Sequence, residues 1–243
     1  MKVLVTNDDG ILSEGLSVLA NWARNRGHQV VVVAPKTNCS GQSGAITLRQ
    51  SLTVTQMAPA YWAVGGTPAD CVRIALAFLG VRPDLVLSGI NHGWNLGHDI
   101  HASGTVGAAR MAAMRGIPAI ALSGPADRWP HVARLLEHHG DAILRTSAAS
   151  GTDAVISVNF PLEKGTQLAT AELSGPRFDD QLQWAEFDGE QHVVHLDFQD
   201  RTLPGADIET DAGAISRGFT TLTHLPLAPD WHLPSFLAQS SSR

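Results

Sequence analysis

Two adjacent carboxylates, Asp8 and Asp9, follow the short apolar run Lys2-Val3-Leu4-Val5-Thr6 and precede Gly10. Paired carboxylates where a buried strand meets a loop suit a divalent cation: their charges neutralise it, and hard oxygen donors select Mg²⁺, Mn²⁺ or Ca²⁺. Asn7-Asp8-Asp9-Gly10 also reads as a solvated turn, because Asp and Gly are common turn formers. The segment does not suit a pyrophosphate. Two carboxylates would repel one, and neither GxGxxG nor GxxxxGK[ST] follows the strand, which disfavours a nicotinamide or Walker-type site.

A second polar segment, Pro35-Lys36-Thr37-Asn38-Cys39-Ser40-Gly41-Gln42-Ser43-Gly44, follows the valine-rich run His28 to Ala34. It can bring a hydroxyl or backbone amides to the same place, or be an ordinary surface loop. Cys39 has no histidine within the segment to activate it, so a nucleophilic thiol is not favoured. The third segment, Ser88 to Thr105, is the longest and is rich in glycine. Asn91 and Asn95 offer neutral carbonyl ligands or amide donors. At its end Ser103 or Thr105 can cap a helix whose free N–H groups form a ready anion site. His92, His98 and His101 with Asp99 match no standard zinc spacing.

These segments need a scaffold that delivers them to one edge. Residues 2–6 and 28–34 are apolar without alternation, as strands covered on both faces are. Leu16, Leu19, Ala20 and Ala23 recur between them at helical spacing and stop at Gly27. The rhythm returns with Val72, Ala75, Leu76 and Leu79 before Asp84 to Ser88, a helix from Gly104-Thr105 before Ile117 to Leu122, and a helical stretch over 132–144 before Ala154 to Val158. Strands alternating with helices predict an α/β fold, a Rossmann-like, doubly wound and mostly parallel sheet. In such sheets ligands sit beyond the carboxyl ends of the strands, where all three polar segments fall.

Composition changes near residue 160. Residues 1–160 carry 12 Lys and Arg against 10 Asp and Glu, whereas residues 161–243 carry 5 against 13. Beyond Pro161 short alternating segments such as His192 to Phe198 and Phe219 to Thr223 read as strands or hairpins. We therefore expect an α/β core over 1–160 and a β-rich extension over 161–243 that packs on that core or on another subunit. The net charge of −6 argues against a nucleic-acid polymer as partner. No run of 18 apolar residues exists, so no membrane partner is expected. Cys39 and Cys71 show no disulfide or zinc spacing, and the expected compartment is the cytoplasm. Charged residues make up 16% of the chain, against roughly 25% in an average domain, so a subunit interface is expected to cover part of the surface.

Taken together, Thr6 to Gly10, Asn38 to Gly41, Gly66 to Val72, Ser88 to Gly97, Ser103 to Ala109, Val158 to Pro161, Thr210-Asp211 and Gly218 to Thr223 resemble, in order, the survival protein SurE family of metal-dependent nucleoside monophosphate phosphatases. The resemblance implies one divalent ion per subunit, Mg²⁺ or Mn²⁺, ligated by Asp8, Asp9, Ser40 and Asn91, with Asp8 and Asp9 also catalytic. It implies substrate phosphate held by Asn95, Ser103, Gly104 and Thr105. It also implies nucleoside 5′-monophosphates as substrates, with 3′-nucleotides and short polyphosphate as further candidates, and a homodimer or homotetramer in which 1–160 is the catalytic core and 161–243 completes the same domain and serves as the oligomerisation arm. The chain departs from the family where arginines commonly flank the Asn before the metal-binding Ser, here Thr37 and Cys39, and where a Tyr commonly precedes the Ser-Gly-Thr turn, here Ala102. Such losses predict a weaker or altered phosphate grip, since Arg suits bidentate phosphate contact. Two other readings are a nucleotide-sugar-handling, glycosyltransferase-like enzyme, suggested by Gly27 to Pro35, and a non-catalytic oligomeric nucleotide or metal binder.

Overall fold

The structure is a computed structural model that describes residues 1–176, 178–187, 189–200 and 207–227. Of the expected C-terminal extension, positions 177, 188, 201–206 and 228–243 thus lie outside the described residues. Strand β1 (Lys2–Thr6) opens the chain, followed by α1 (Glu14–Asn25) and β2 (Gln29–Pro35). A hairpin of β3 (Val54–Ala58) and β4 (Tyr61–Val64) precedes α2 (Pro68–Ala77) and β5 (Leu85–His92). A 3₁₀ turn (Gly97–His101) leads into α3 (Gly104–Ala113), and β6 (Ala119–Gly124), α4 (Trp129–Ser150) and β7 (Ala154–Asn159) close the alternating part. The remainder holds β8 (Leu168–Thr170), the antiparallel pair β9 (Phe178–Phe187) and β10 (His192–Asp200), α5 (Asp211–Ser216) and β11 (Thr220–Pro226).

The main sheet runs β3-β4-β2-β1-β5-β6-β7-β11-β8, with β4 through β7 in that order all parallel. Strand order reverses between β1 and β5, which pair at Thr6 and Ser88. That switch point is where doubly wound sheets open a crevice for ligand, and both strands run into predicted functional segments.

The unbroken apolar strands are explained by cover on both faces. Val3 and Val5 join one buried cluster with Leu16, Leu19 and Trp22 of α1 and Leu135, Leu136 and Ile143 of α4. Leu4 joins the opposite cluster with Val72 and Ala75 of α2 and Val106, Ala109 and Ala112 of α3. Alternate side chains of a strand point to opposite faces, so both faces must be apolar. Strand β11 repeats the division, with Leu222 in the first cluster and Leu225 in the second, and it pairs antiparallel with β7. The acidic C-terminal span thereby supplies a strand of the main sheet.

Side-chain caps start α1, α2, α3 and α5. Ser13 Oγ accepts from Leu16 N, Ser103 Oγ from Val106 N and Thr210 Oγ1 from Gly213 N. Thr67 and Asp70 form a reciprocal capping box with Pro68 in the first turn of α2. The β3–β4 hairpin had no counterpart in the sequence expectations, because β3 is almost wholly exposed and β4 is four residues long. Neither feature leaves a periodic apolar signal. No helix among the described residues is long and apolar enough to cross a membrane.

Candidate active site

The three polar segments meet around Asp8. Asn7, fully buried, folds the first loop: its Nδ2 donates to Gly10 O (3.1 Å) and Ser13 Oγ (2.7 Å), and its Oδ1 accepts from Gly10 N (3.3 Å). Asp8 is thereby directed into the molecule and is 3% exposed. Thr105, at the start of α3, grips it from the far side through its hydroxyl on Oδ1 (2.5 Å) and its N–H on Oδ2 (3.1 Å). Gly104 makes this approach possible, since a Cβ there would lie 2.8 Å from Asp8 Cβ and 3.1 Å from Pro68.

The second segment is pinned to the same residue. Cys39 N donates to Asp8 O (2.7 Å), and the exposed Ser40 follows, its N–H held by Asn38 Oδ1 (2.8 Å). Gly107 lets the loop sit against α3, where a Cβ would meet Ser43 O at 2.0 Å. Ser43 continues the contact, donating from N to Ala102 O (2.9 Å) and from Oγ to His101 O (2.6 Å). Cys39 itself is buried, and burial, reinforced by Asp8, pushes its thiol up. The expectation against a nucleophilic thiol agrees with that environment.

Asp9, partly buried, accepts from His92 N (3.1 Å) at the end of β5. The neighbouring Asn91 donates Nδ2 to Gly93 O (2.9 Å), which turns its carbonyl oxygen away from that bond and leaves it available as a neutral ligand. Asn95 is fixed on all sides: its N–H donates to Asn159 Oδ1 (3.0 Å), its O accepts from Asn159 Nδ2 (2.9 Å), and its Nδ2 donates to Ser123 Oγ (2.8 Å). Trp94 Nε1 donates to Phe160 O (2.7 Å), and Gly97 N to Asp211 Oδ2 (2.8 Å). The long Gly-rich segment is therefore tied to the ends of β6 and β7 and to α5.

The electrostatics match an uncompensated carboxylate pair. Burial raises Asp8 above the usual carboxylate range, against hydrogen bonds from Thr105 that lower it. Burial likewise raises Asp9, and the charge of Asp8 raises it further. Two acids that disfavour each other's ionisation are stabilised by a cation between them. The donor set on offer is two carboxylates, the Ser40 hydroxyl and the Asn91 carbonyl, all hard oxygens fit for Mg²⁺ or Mn²⁺. Among the described residues no three His, Cys, Asp or Glu side chains gather as a metal group, so His92, His98, His101 and Asp99 do not cluster as zinc ligands would.

Ser123, Asn159 and Asp211 went unassigned by sequence reasoning, although Val158 to Pro161 and Thr210-Asp211 had stood out as segments. Their roles depend on contacts 28 to 114 residues distant in sequence, which spacing does not reveal.

Comparison with known proteins gives consistent findings. The family model described as survival protein SurE matches residues 3–185. A 5′-nucleotidase SurE of Pseudoalteromonas atlantica is 35% identical, over 95% of this chain and 93% of that protein. Its namesake in Paramagnetospirillum magneticum is 38% identical, over 93% and 89% respectively. The crystal structure of the SurE protein from Aquifex aeolicus superposes with a TM-score of 0.78 at 28% identity, covering 99% of this chain and 98% of that one.

Proposed function

The chain belongs to the survival protein SurE family, and on that premise we propose how its residues carry out the family's chemistry. It is a 5′-nucleotidase, a phosphoric monoester hydrolase acting on nucleoside monophosphates. The glycosyltransferase-like reading is not favoured by these relatives. The observation that carries the mechanism is the pair of buried Asp8 and partly buried Asp9 at the switch point of the sheet, with both carboxyls held above their ordinary range.

Asp8, Asp9, Ser40 and Asn91 would hold one divalent ion per subunit, Mg²⁺ or Mn²⁺. When bound, such an ion supplies charge neutralisation for the phosphate and makes water a better nucleophile at neutral pH. Thr105 keeps both oxygens of Asp8 oriented, and the His92 N–H does the same for one oxygen of Asp9. One of the two carboxylates accepts a hydrogen bond from the attacking water and sets its line of approach to phosphorus. The new P–O bond forms as the bridging P–O ester bond breaks, the nucleoside leaves as its alcohol with one proton of the water, and the other proton stays with the phosphate released.

Asn95 and the Ser103-Gly104-Thr105 turn would bind the phosphate. This assignment is supported by the helix start there, whose dipole favours negative charge, and by the rigid hold on Asn95. Charge developing on the equatorial oxygens would be met by the Ser103 hydroxyl and the second hydrogen of Asn95 Nδ2, whereas the Thr105 hydroxyl and N–H are given to Asp8, so Thr105 would act on the phosphate through the helix dipole. The 161–243 span acts as an extension of the 1–160 core and, through β9 and β10, as the arm of a homodimer or homotetramer. A cytoplasmic location fits two free, buried cysteines.

A substrate panel tests the reading. Phosphate release should be greatest from nucleoside 5′-monophosphates, with 3′-nucleotides and short polyphosphate as slower substrates, and should require Mn²⁺ or Mg²⁺. Tight nucleotide binding without release would instead support the non-catalytic binder.

A further inference from the structure

A cavity of about 800 Å³ lies away from the site just described and is lined by Arg49, Arg73, Arg82 and Arg115. Among the described residues no acidic side chain lines it. These are four of only 17 Lys and Arg in a chain of net charge −6, so the concentration of cations runs against the overall balance. The part of it that holds Arg82 and Arg115 lies at the end of the sheet opposite the nucleotidase loops, whereas Thr47 to Leu52 belong to the connection that continues from the Ser40 segment. Arg82 immediately precedes β5, and Arg115 precedes β6, whereas Asp8, Asp9 and Asn91 stand at or beyond the carboxyl ends of β1 and β5.

The guanidinium groups differ in how they are held. Arg73 Nη1 donates to Thr47 O (3.1 Å) and to the buried Asp70 Oδ1 (2.7 Å). Arg82 Nη1 donates to Leu76 O (3.0 Å) and Val81 O (3.2 Å). In both cases one nitrogen anchors the group, and the rest of the planar fork keeps its donors. Among the described residues Asp70 is the one carboxylate spent on this set, and Asp84, next to the lining Pro83, accepts from Lys2 N instead (2.7 Å). Arg49 and Arg115 are exposed. Leu48, Leu52, Ile74 and Ile117 provide an apolar wall. The volume falls within the roughly 300–1,000 Å³ of small-molecule sites, and an apolar pocket with a few placed polar groups is the usual ligand-site pattern.

We propose that this cavity is a second, non-catalytic site for a small ligand carrying two or more linked phosphates. Arg recognises phosphate oxygens through paired donors, and a surplus of three cations over Asp70 exceeds what a single phosphate would neutralise. A nucleic-acid polymer is the weaker occupant, because the molecule as a whole is acidic and would be repelled from it. The proposal does not depend on the nucleotidase assignment, since it shares no residue with that site.

Isothermal titration of the full chain with inorganic tripolyphosphate and with ATP, both in EDTA, tests it. Each probe should bind the wild type and Asp9→Asn alike, and binding should weaken at least tenfold in the Arg49→Ala/Arg115→Ala variant and with rising salt. Tripolyphosphate binding as tightly as ATP would assign the site to the phosphate chain alone, and tighter ATP would assign the apolar wall to a base. The double variant should keep nucleoside monophosphate turnover within twofold of wild type. Arg115→Glu serves as the second variant if the first fails to fold, with the same tenfold loss expected. Absence of binding by both probes at millimolar concentration overturns the proposal. So does binding that survives both arginine variants, or that disappears in Asp9→Asn.

Discussion

At the scale of single residues, the Asp8–Asp9 pair sets stability against function. A carboxyl whose protonation is favoured in the folded state supports folding fully below its unfolded pKa, near 3.9. That support is lost as pH rises through the folded value. Both aspartates are raised, so at neutral pH the metal-free protein carries them as a liability. Asp9→Asn should therefore raise the melting temperature of metal-free protein at pH 7 while lowering turnover at least 100-fold. Mn²⁺ or Mg²⁺ at 100 times its Kd should stabilise the wild type by about 2.7 kcal/mol and leave Asp9→Asn nearly unmoved, as read by thermal melts with and without EDTA. Thr105→Val keeps shape but removes the hydroxyl on Asp8 Oδ1. Loss of such an outer partner typically weakens metal affinity by about 10–100-fold, which a metal titration of activity measures. Adjacent acids after an apolar strand read equally as a cation site or a solvated turn, and it is the ordered resemblance to the SurE motifs that singles the aspartates out. Thr105 could not be assigned to Asp8 that way, because the two are 97 positions apart.

At the scale of elements, glycines and caps decide whether the loops reach one another. Helix α3 packs against the Ser40 loop at Gly107, where a methyl group would overlap Ser43 O. Gly107→Ala should push that loop outward, weakening metal affinity more than it lowers the melting temperature. Helix α2 depends on Asp70. Burial alone would raise that carboxyl, but donors from Thr47, Thr67 and Arg73 outweigh burial and hold it below its ordinary value. A lowered carboxyl contributes stability above its unfolded pKa and loses it as pH falls through the folded one, so this contribution fades on acidification, opposite to that of Asp8 and Asp9. Asp70→Ala leaves several donors unpaired and should cost about 3 kcal/mol at pH 7, measurable by urea titration. The alternation of strands and helices was legible because strands covered on both faces leave long apolar runs. The β3–β4 hairpin was not, because an exposed edge strand carries no such mark.

At the scale of the whole molecule, the low charge density finds a partial explanation in β9 and β10. Their backbones pair antiparallel, with Trp184 opposite His195 and Phe187 opposite His192. Trp184, Phe187, Val193, Val194 and Leu196 are each about half exposed or more in the single chain. Exposed apolar surface of this kind marks an association site, and a lone hairpin is at best marginally stable. On the proposed role of β9 and β10 as an oligomerisation arm, wild type should sediment as a dimer or tetramer, and replacing residues 178–200 by a short Gly-Ser turn should yield monomers. The core should still fold, because β11 and α5 belong to it: Asp211, 1% exposed, accepts from Gly97 N and Ser174 N. The compositional change near 160 sets the C-terminal span apart by its charge. It did not reveal that β11 would return to the central sheet, since that pairing with β7 is a long-range event with no local signature.

The most direct measurement is phosphate release from a nucleoside 5′-monophosphate by wild type and Asp9→Asn, with Mn²⁺, with EDTA, and with Mn²⁺ restored after EDTA. A metal-dependent nucleotidase built on the Asp8–Asp9 pair predicts wild-type release that vanishes in EDTA and returns with Mn²⁺, and at most about one-hundredth of that rate in Asp9→Asn. Full release in EDTA, or wild-type rates in Asp9→Asn, would contradict it.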